Sequence, residues 1–238
     1  MMTERLYYDD AYLTEFDAAV ECCREGESGW LVRLDRSAFY PTSGGQPYDT
    51  GTLNGARVTD VQVLDGDVWH TVDRPLNEGE RVRGTIDWPR RFDHMQQHAA
   101  DHMIAGRLWS RFGGVTIGLH ESDEVSTIDV QMPDGRTHLT DEEIRAVERD
   151  VNERIQRDVP IRCWFPSAEE LKILPLRKKP TVSEHVRVVA IGDDEMVACG
   201  GTHPSTAGQI GLVKIVSVAP ARGKMRVGFV AGMRALND

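Results

Sequence analysis

The chain has 238 residues and a formal net charge of -10, with 40% hydrophobic and 28% charged residues, enough for one large domain or two modest ones with real cores. No apolar run approaches the roughly 20 residues of a membrane-spanning helix, and the opening Met1-Met2-Thr3-Glu4-Arg5 lacks the basic and apolar regions of a signal peptide, so a cytoplasmic protein with no membrane partner is expected. The acid excess argues against nucleic acid, but it sits at the front: residues 1 to 88 hold 8 Lys and Arg against 17 Asp and Glu, and the rest of the chain is nearly balanced.

Short β-rich stretches come first, at 30–34, 56–64, 68–72 and 82–86, and Asp65-Gly66-Asp67 marks a hairpin between two of them. They predict a small all-β barrel or sandwich as a domain over residues 1–88. Cys22-Cys23 has no second pair at zinc-ribbon or disulfide spacing. Together with Cys163 it reads as small apolar side chains in a reducing setting.

At Trp88-Pro89 the period changes. Met95, Ala99, His102-Met103, Leu108 and Phe112 recur at helical spacing until Gly113-Gly114, which predicts a long helix from near residue 91. Thr140-Asp141-Glu142-Glu143 is a capping box for a second helix, with Ile144, Val147, Val151 and Ile155 on one face. Ser167-Ala168-Glu169-Glu170 opens a short third helix stopped by Pro175. Strands return at 186–191, 210–218 and 225–230, so residues 89–238 form an α+β domain and the whole chain an α+β protein.

His98 and His102 stand four apart on the predicted helix and therefore project from one face, their Cβ atoms about 5 to 6 Å apart. Cys199-Gly200-Gly201-Thr202-His203 offers a thiolate and an imidazole on a turn that two glycines permit. The four side chains form a donor set suited to tetrahedral Zn2+. Closed four-ligand sites usually only stabilise a fold. The HExxH pattern of zinc proteases is absent, because Ala99 follows His98.

These paired motifs resemble the HxxxH and CxxxH motifs of the alanyl-tRNA synthetase editing domain and of its freestanding relatives, the AlaX-type alanyl-tRNA editing proteins. Two stretches narrow the resemblance: Phe39-Tyr40-Pro41-Thr42-Ser43-Gly44-Gly45-Gln46-Pro47-Tyr48-Asp49-Thr50-Gly51 is similar to the family's glycine-rich segment, and Arg91-Phe92-Asp93-His94-Met95-Gln96-Gln97 to the lead-in to its histidine pair. Ser43 stands where the family often has glycine. The glycine-rich front domain points to the longer freestanding members.

The resemblance implies a zinc-dependent hydrolase of mischarged tRNA(Ala), acting on Ser-tRNA(Ala) and secondarily Gly-tRNA(Ala), without any capacity to charge tRNA in 238 residues. A pocket for alanine discriminates over one small group by only about 1 to 3 kcal/mol, hence the need for repair. Zinc then either activates a water or holds the substrate while another water attacks. It also implies a pocket role for His120 in Gly118-Leu119-His120-Glu121, set against an ordinary strand-end histidine. Gln97 is a substrate donor or a plain helix glutamine, and Thr202 bonds the thiolate or recognises a serine hydroxyl. Gly44, Gly45 and Gln46 shape the substrate pocket or simply make a turn.

For tRNA contact, Lys172, Arg177, Lys178, Lys179, Arg222 and Lys224 offer charges to phosphates. His70 and His94 read as structural. The competing readings are a zinc-stabilised tRNA-binding accessory module without turnover, and a zinc hydrolase of some other ester or amide.

Overall fold

The computed structural model describes residues 2–180, 185–193 and 195–237. The chain divides into two compact units, Met1–His94 and Met95–Asp238. The strands of the first are β1 (Glu4–Arg5), β2 (Glu15–Gly26), β3 (Gly29–Leu34), β4 (Arg36–Ser37), β5 (Gly51–Leu53), β6 (Ala56–Leu64), β7 (Asp67–Val72) and β8 (Arg81–Ile86). Six of them pair antiparallel in a closed ring, β2-β3-β7-β6-β5-β8, and β1 lies parallel to β4. Alternation along the strands turns Val32, Leu34, Val58, Val61, Val68 and Val72 inward. The β6–β7 hairpin turns at Asp65 and Gly66, with φ of 52° and 88°, the left-handed pair a tight two-residue connection requires.

The glycine-rich segment is likewise a tight turn. Ser43 and Gln46 exchange backbone hydrogen bonds of 3.1 and 2.9 Å around Gly44 and Gly45, whose φ values are 60° and 92°. The left-handed positions fall on the two glycines, so Ser43 is accommodated without strain. Gln46 is fully buried. Further along the same segment, Asp49 accepts Arg91 Nε at 2.9 to 3.0 Å and also pairs with Nη2, with both side chains buried. Arg91 also donates to the carbonyls of Ala11 at 2.8 Å and Ala38 at 2.5 Å, while Asp49 takes the Tyr40 N–H at 2.6 Å.

His70 is structural, as the sequence suggests. Its Nδ1–H donates to Val32 O at 3.1 Å, Ser37 Oγ–H donates to its Nε2 at 2.7 Å, and Ser37 Oγ takes the Phe39 N–H at 3.1 Å. Burial pushes its pKa down to about 4 and keeps the ring neutral.

Helix α1 (Trp88–Phe112) begins in the first unit and continues into the second. It starts where the period changes at Trp88, earlier than the residue 91 expected. It ends at Gly113, which adopts φ 69° and donates to Trp109 O at 2.8 Å. The second unit adds β9 (Val115–His120), β10 (Ser126–Gln131), α2 (Asp141–Gln156), β11 (Ile161–Trp164), α3 (Ala168–Ile173), β12 (Val188–Ile191), β13 (Glu195–Ala198), β14 (Val213–Ala221), β15 (Lys224–Ala231) and α4 (Met233–Asn237). β14-β15-β10-β9 form a four-stranded sheet and β11-β12-β13 a three-stranded one. The expected strand at 210–218 starts later because Ile210 closes a 3-10 turn and Gly211, at φ 75°, redirects the chain.

The inward face of the larger sheet, with Ile128, Val130, Val227 and Phe229, shares one core with Met103 and Leu108 of α1 and Val147 and Val151 of α2. Both expected caps form. Thr140 Oγ1 accepts Glu143 N at 3.2 Å while Glu143 returns a carboxylate to Thr140 N at 2.8 Å, and Ser167 Oγ accepts Glu170 N at 3.2 Å. Between β9 and β10 the register slips at Asp129/Val130, so that Ile117 on β9 has no partner position and bulges. Among the described residues no helix is long and apolar enough to cross a membrane.

Candidate metal centre

Helical spacing and a short turn bring four donors together. His98 and His102, one turn apart on α1, share a face with ring centroids 5.1 Å apart. Cys199 and His203 lie on the turn that follows β13. The donor atoms of all four residues fall within 4.8 Å of one another, an arrangement that can hold a metal ion.

The chemistry of the set fits a borderline-soft cation. Cys199 Sγ sits 3.3 Å from His98 Nε2 and 3.9 Å from His203 Nε2. Both ring nitrogens of His102 are buried without a hydrogen bond of ordinary geometry, a cost that a coordinate bond would remove. Although burial alone would raise the Cys199 pKa, the neighbouring His98, His102 and His203 hold it well below the ordinary thiol value, favouring the ligating thiolate. Burial pushes His203 down to about 3, which keeps that ligand neutral. His98 behaves oppositely: burial disfavours its charge, but Cys199 and Glu121 hold its pKa well above normal. A bound cation would take the place of the proton on the His98 nitrogen that faces the other donors.

Support for the ligands comes largely from residues the sequence reading missed. Glu121, its side chain fully buried just past β9, places Oε1 3.1 Å from His98 Nδ1, so that Nε2 is turned to the other donors. His203 Nδ1–H donates to Gly201 O at 3.1 Å, with the same effect on its tautomer. The turn itself is held by Arg187, which donates to the carbonyls of Cys199 at 3.2 Å and Gly201 at 2.7 Å. Neither Gly200 nor Gly201 has a positive φ, so hydrogen bonding, not left-handed backbone, shapes this turn. Gly201 N–H donates to the sulfur at 3.3 Å. Glu121→Gln should weaken metal binding about 10- to 100-fold, as loss of such supporting carboxylates does. Competition between the protein and a chromogenic zinc chelator measures this, and an unchanged affinity would remove Glu121 from the site.

The other expected residues are placed as follows. Gln97 is fully buried, and its amide grips one backbone position with both ends: Nε2 donates to Ala231 O at 3.1 Å and Oε1 accepts Ala231 N at 2.9 Å. It is a clamp between α1 and the end of β15, and not an exposed helix glutamine. Thr202 is fully buried within the ligand turn. His120 is not among the four gathered donors; it is exposed and lines a basic cleft on the larger sheet with Arg222 and Lys224. Arg177 is withdrawn from solvent, its side chain 8% exposed and its Nε 2.9 Å from Glu195 Oε1, so it is a poor phosphate contact. Lys172, Lys178 and Lys179 are exposed, Lys172 beside Glu169 at 2.9 Å. Gly44, Gly45 and Gln46 belong to the turn of the first unit.

Two family descriptions match the chain: tRNA synthetases class II (A) over residues 2–90, and the threonyl and alanyl tRNA synthetase second additional domain over residues 186–227, which contains the Cys199–His203 turn. Among curated relatives, the alanine–tRNA ligase of Halobacterium salinarum is 38% identical over 98% of this chain, and that of Pyrococcus abyssi 36% identical over 99%. The alanyl-tRNA editing protein AlaX-L of Pyrococcus horikoshii is 32% identical over 99% of this chain. The chain spans 26% of the length of each of these two ligases and 60% of the editing protein.

Proposed function

We propose that the chain, similar over nearly its whole length to alanyl-tRNA synthetases and to an alanyl-tRNA editing protein, is a zinc-dependent aminoacyl-tRNA deacylase that clears serine, and secondarily glycine, from mischarged tRNA(Ala). The observation that carries this reading is the convergence of three imidazoles and one thiolate within 4.8 Å. Water cleaves the ester between the amino-acid carbonyl carbon and the terminal ribose oxygen, giving free amino acid and intact tRNA; ATP is not consumed.

His98, His102, Cys199 and His203 would hold Zn2+, which when bound supplies Lewis acidity toward an ester carbonyl or a water. Glu121 keeps the His98 Nδ1 proton and so fixes which nitrogen ligates. The Gly201 N–H stabilises the thiolate, and Arg187 keeps the turn from opening. Thr202 borders the ligands within that turn, where its hydroxyl is suited to reading a serine hydroxyl. Gly44, Gly45 and Gln46 contribute to substrate binding only through the shape of their turn. Exposed Lys172, Lys178 and Lys179, with Arg222 and Lys224, meet tRNA phosphates.

The test uses zinc-loaded protein with Ser-, Gly- and Ala-charged tRNA(Ala) and with Ser-charged tRNA(Ser). Serine should be released from tRNA(Ala) fastest, glycine more slowly and alanine least. Stoichiometric binding of charged tRNA with no amino acid released would replace this reading with a zinc-stabilised accessory module.

A further inference from the structure

The outward face of the larger sheet carries a second built feature that the metal centre does not use. Because Ile128, Val130, Met225 and Val227 point into the core, their neighbours Thr127, Asp129, Lys224 and Arg226 face outward. The register sets His120 opposite Thr127, Asp129 between Gly118 and Arg226, and Lys224 opposite Ala221. Together with Arg222 these side chains line a cleft of about 440 Å³. Small residues keep it open: Ala221 lines it, and a side chain at Gly118 would rise beside His120 and Asp129, 3.6 Å from the imidazole Nε2.

The β14–β15 hairpin turns on Arg222 and Gly223, with φ of 49° and 79°, and so brings Arg222 to the end of the cleft. Asp129 grips the Arg226 guanidinium with both oxygens, at 2.6 Å from Nε and 2.7 Å from Nη2. That pair balances itself, and Arg222 and Lys224 leave the cleft cationic on a chain whose net charge is -10.

We propose that this cleft seats a phosphodiester of a single-stranded RNA end, with Lys224 and Arg222 neutralising the phosphate, the oriented Arg226 donating beside them, and His120 and Thr127 available to the sugar hydroxyl. The proposal rests on the reading of tRNA as substrate, whose esterified end is single-stranded. One backbone link gives it a direction. His120 lines the cleft and the next residue, Glu121, turns the other way to touch the metal ligand His98, so the cleft and the centre flank the same end of β9 from its two sides. Phosphate contacts position a nucleic acid without reading its sequence, which suits an end that must be presented to a hydrolytic site.

The experiment compares the full zinc-loaded chain with Arg222→Gln/Lys224→Gln and with Lys224→Arg. Uncharged tRNA(Ala) and inorganic phosphate serve as probes across a salt series. The double variant should bind tRNA about 10-fold more weakly at low salt, and the slope of log affinity against log salt should fall by roughly 1.4, two single-strand phosphate contacts at about 0.7 each. Lys224→Arg should retain parental affinity. An unchanged affinity and slope in the double variant would overturn the proposal. So would loss of inorganic phosphate binding with tRNA binding intact, since the cleft would then be a free-anion site. If the parent binds tRNA through the cleft and releases no amino acid, the deacylase reading fails and the cleft stands; if it deacylates and the double variant binds normally, the cleft falls alone.

Discussion

Cys199→Ala should lower serine release from Ser-tRNA(Ala) by roughly 10³-fold, because the Lewis-acid contribution at stake is several kcal/mol and each 1.36 kcal/mol is tenfold. The substitution removes the one thiolate of the four-donor set and strips the Gly201 N–H of its acceptor. The three imidazoles that remain form a weaker and less discriminating set for a borderline-soft cation. Metal content measured on the purified protein should fall from one equivalent to near zero in the same variant. Circular dichroism separates this outcome from unfolding, and Cys199→Ser, which keeps the size but not the softness, should lie between parent and alanine. Parental turnover by a folded, metal-free Cys199→Ala protein would take the metal out of the reaction.

The second large effect is on stability. Arg91→Met should destabilise the first unit by about 3–5 kcal/mol, the usual consequence of leaving one charge of a buried pair uncompensated. Asp49 would lose its paired guanidinium while staying buried, and the carbonyls of Ala11 and Ala38 would lose a donor. Replacing both partners, Arg91→Met with Asp49→Leu, should recover part of that loss, since an apolar pair carries no desolvation cost. Urea unfolding followed by tryptophan fluorescence reads this out through Trp30 and Trp69 on β3 and β7. A single-variant cost below about 1 kcal/mol would mean that the pair is as weak as one on the surface.

This pair also explains what the motif residues do. Phe39 to Gly51 and Arg91 to Gln97 stand out in the sequence as resemblance alone. In the fold Arg91 and Asp49, one from each stretch, form a buried ion pair, and Gly44 and Gly45 make the turn that leads into Asp49. Local signals of this kind were legible: the Asp65-Gly66 hairpin, both helix caps, and the i, i+4 histidines each depend on residues close in sequence. β2 was not. Its twelve residues run through Glu, Asp, Ala and Cys, types with little preference for strands, and only the alternate burial of Phe16, Ala18 and Val20 betrays it. β9 was hidden because the bulge at Ile117 breaks its alternation. The Gln97 clamp was hidden for a different reason, its partner Ala231 lying 134 positions away, while Glu121 and Arg187 reach their partners across loops whose closure no periodicity in the sequence announces. Arg177 shows the converse error, in which a cation in a basic run is taken for surface although the fold buries it against Glu195.

The pairing of β9 beyond its bulge also limits how this stretch of chain can change over evolutionary time. In a strand, a shift of one residue exchanges the two faces, and here the residues exchanged would be His120 and Glu121. Loss of the unpartnered Ile117 would leave that register as it is, but a residue added or removed between Gly118 and Glu121 would carry a carboxylate toward the cationic cleft and an imidazole toward His98. Side chains along β9 can therefore drift, Val115 and Ile117 being exposed, but the number of residues between Gly118 and Glu121 is frozen. An insertion or deletion there would damage two sites at once, without touching a residue in either.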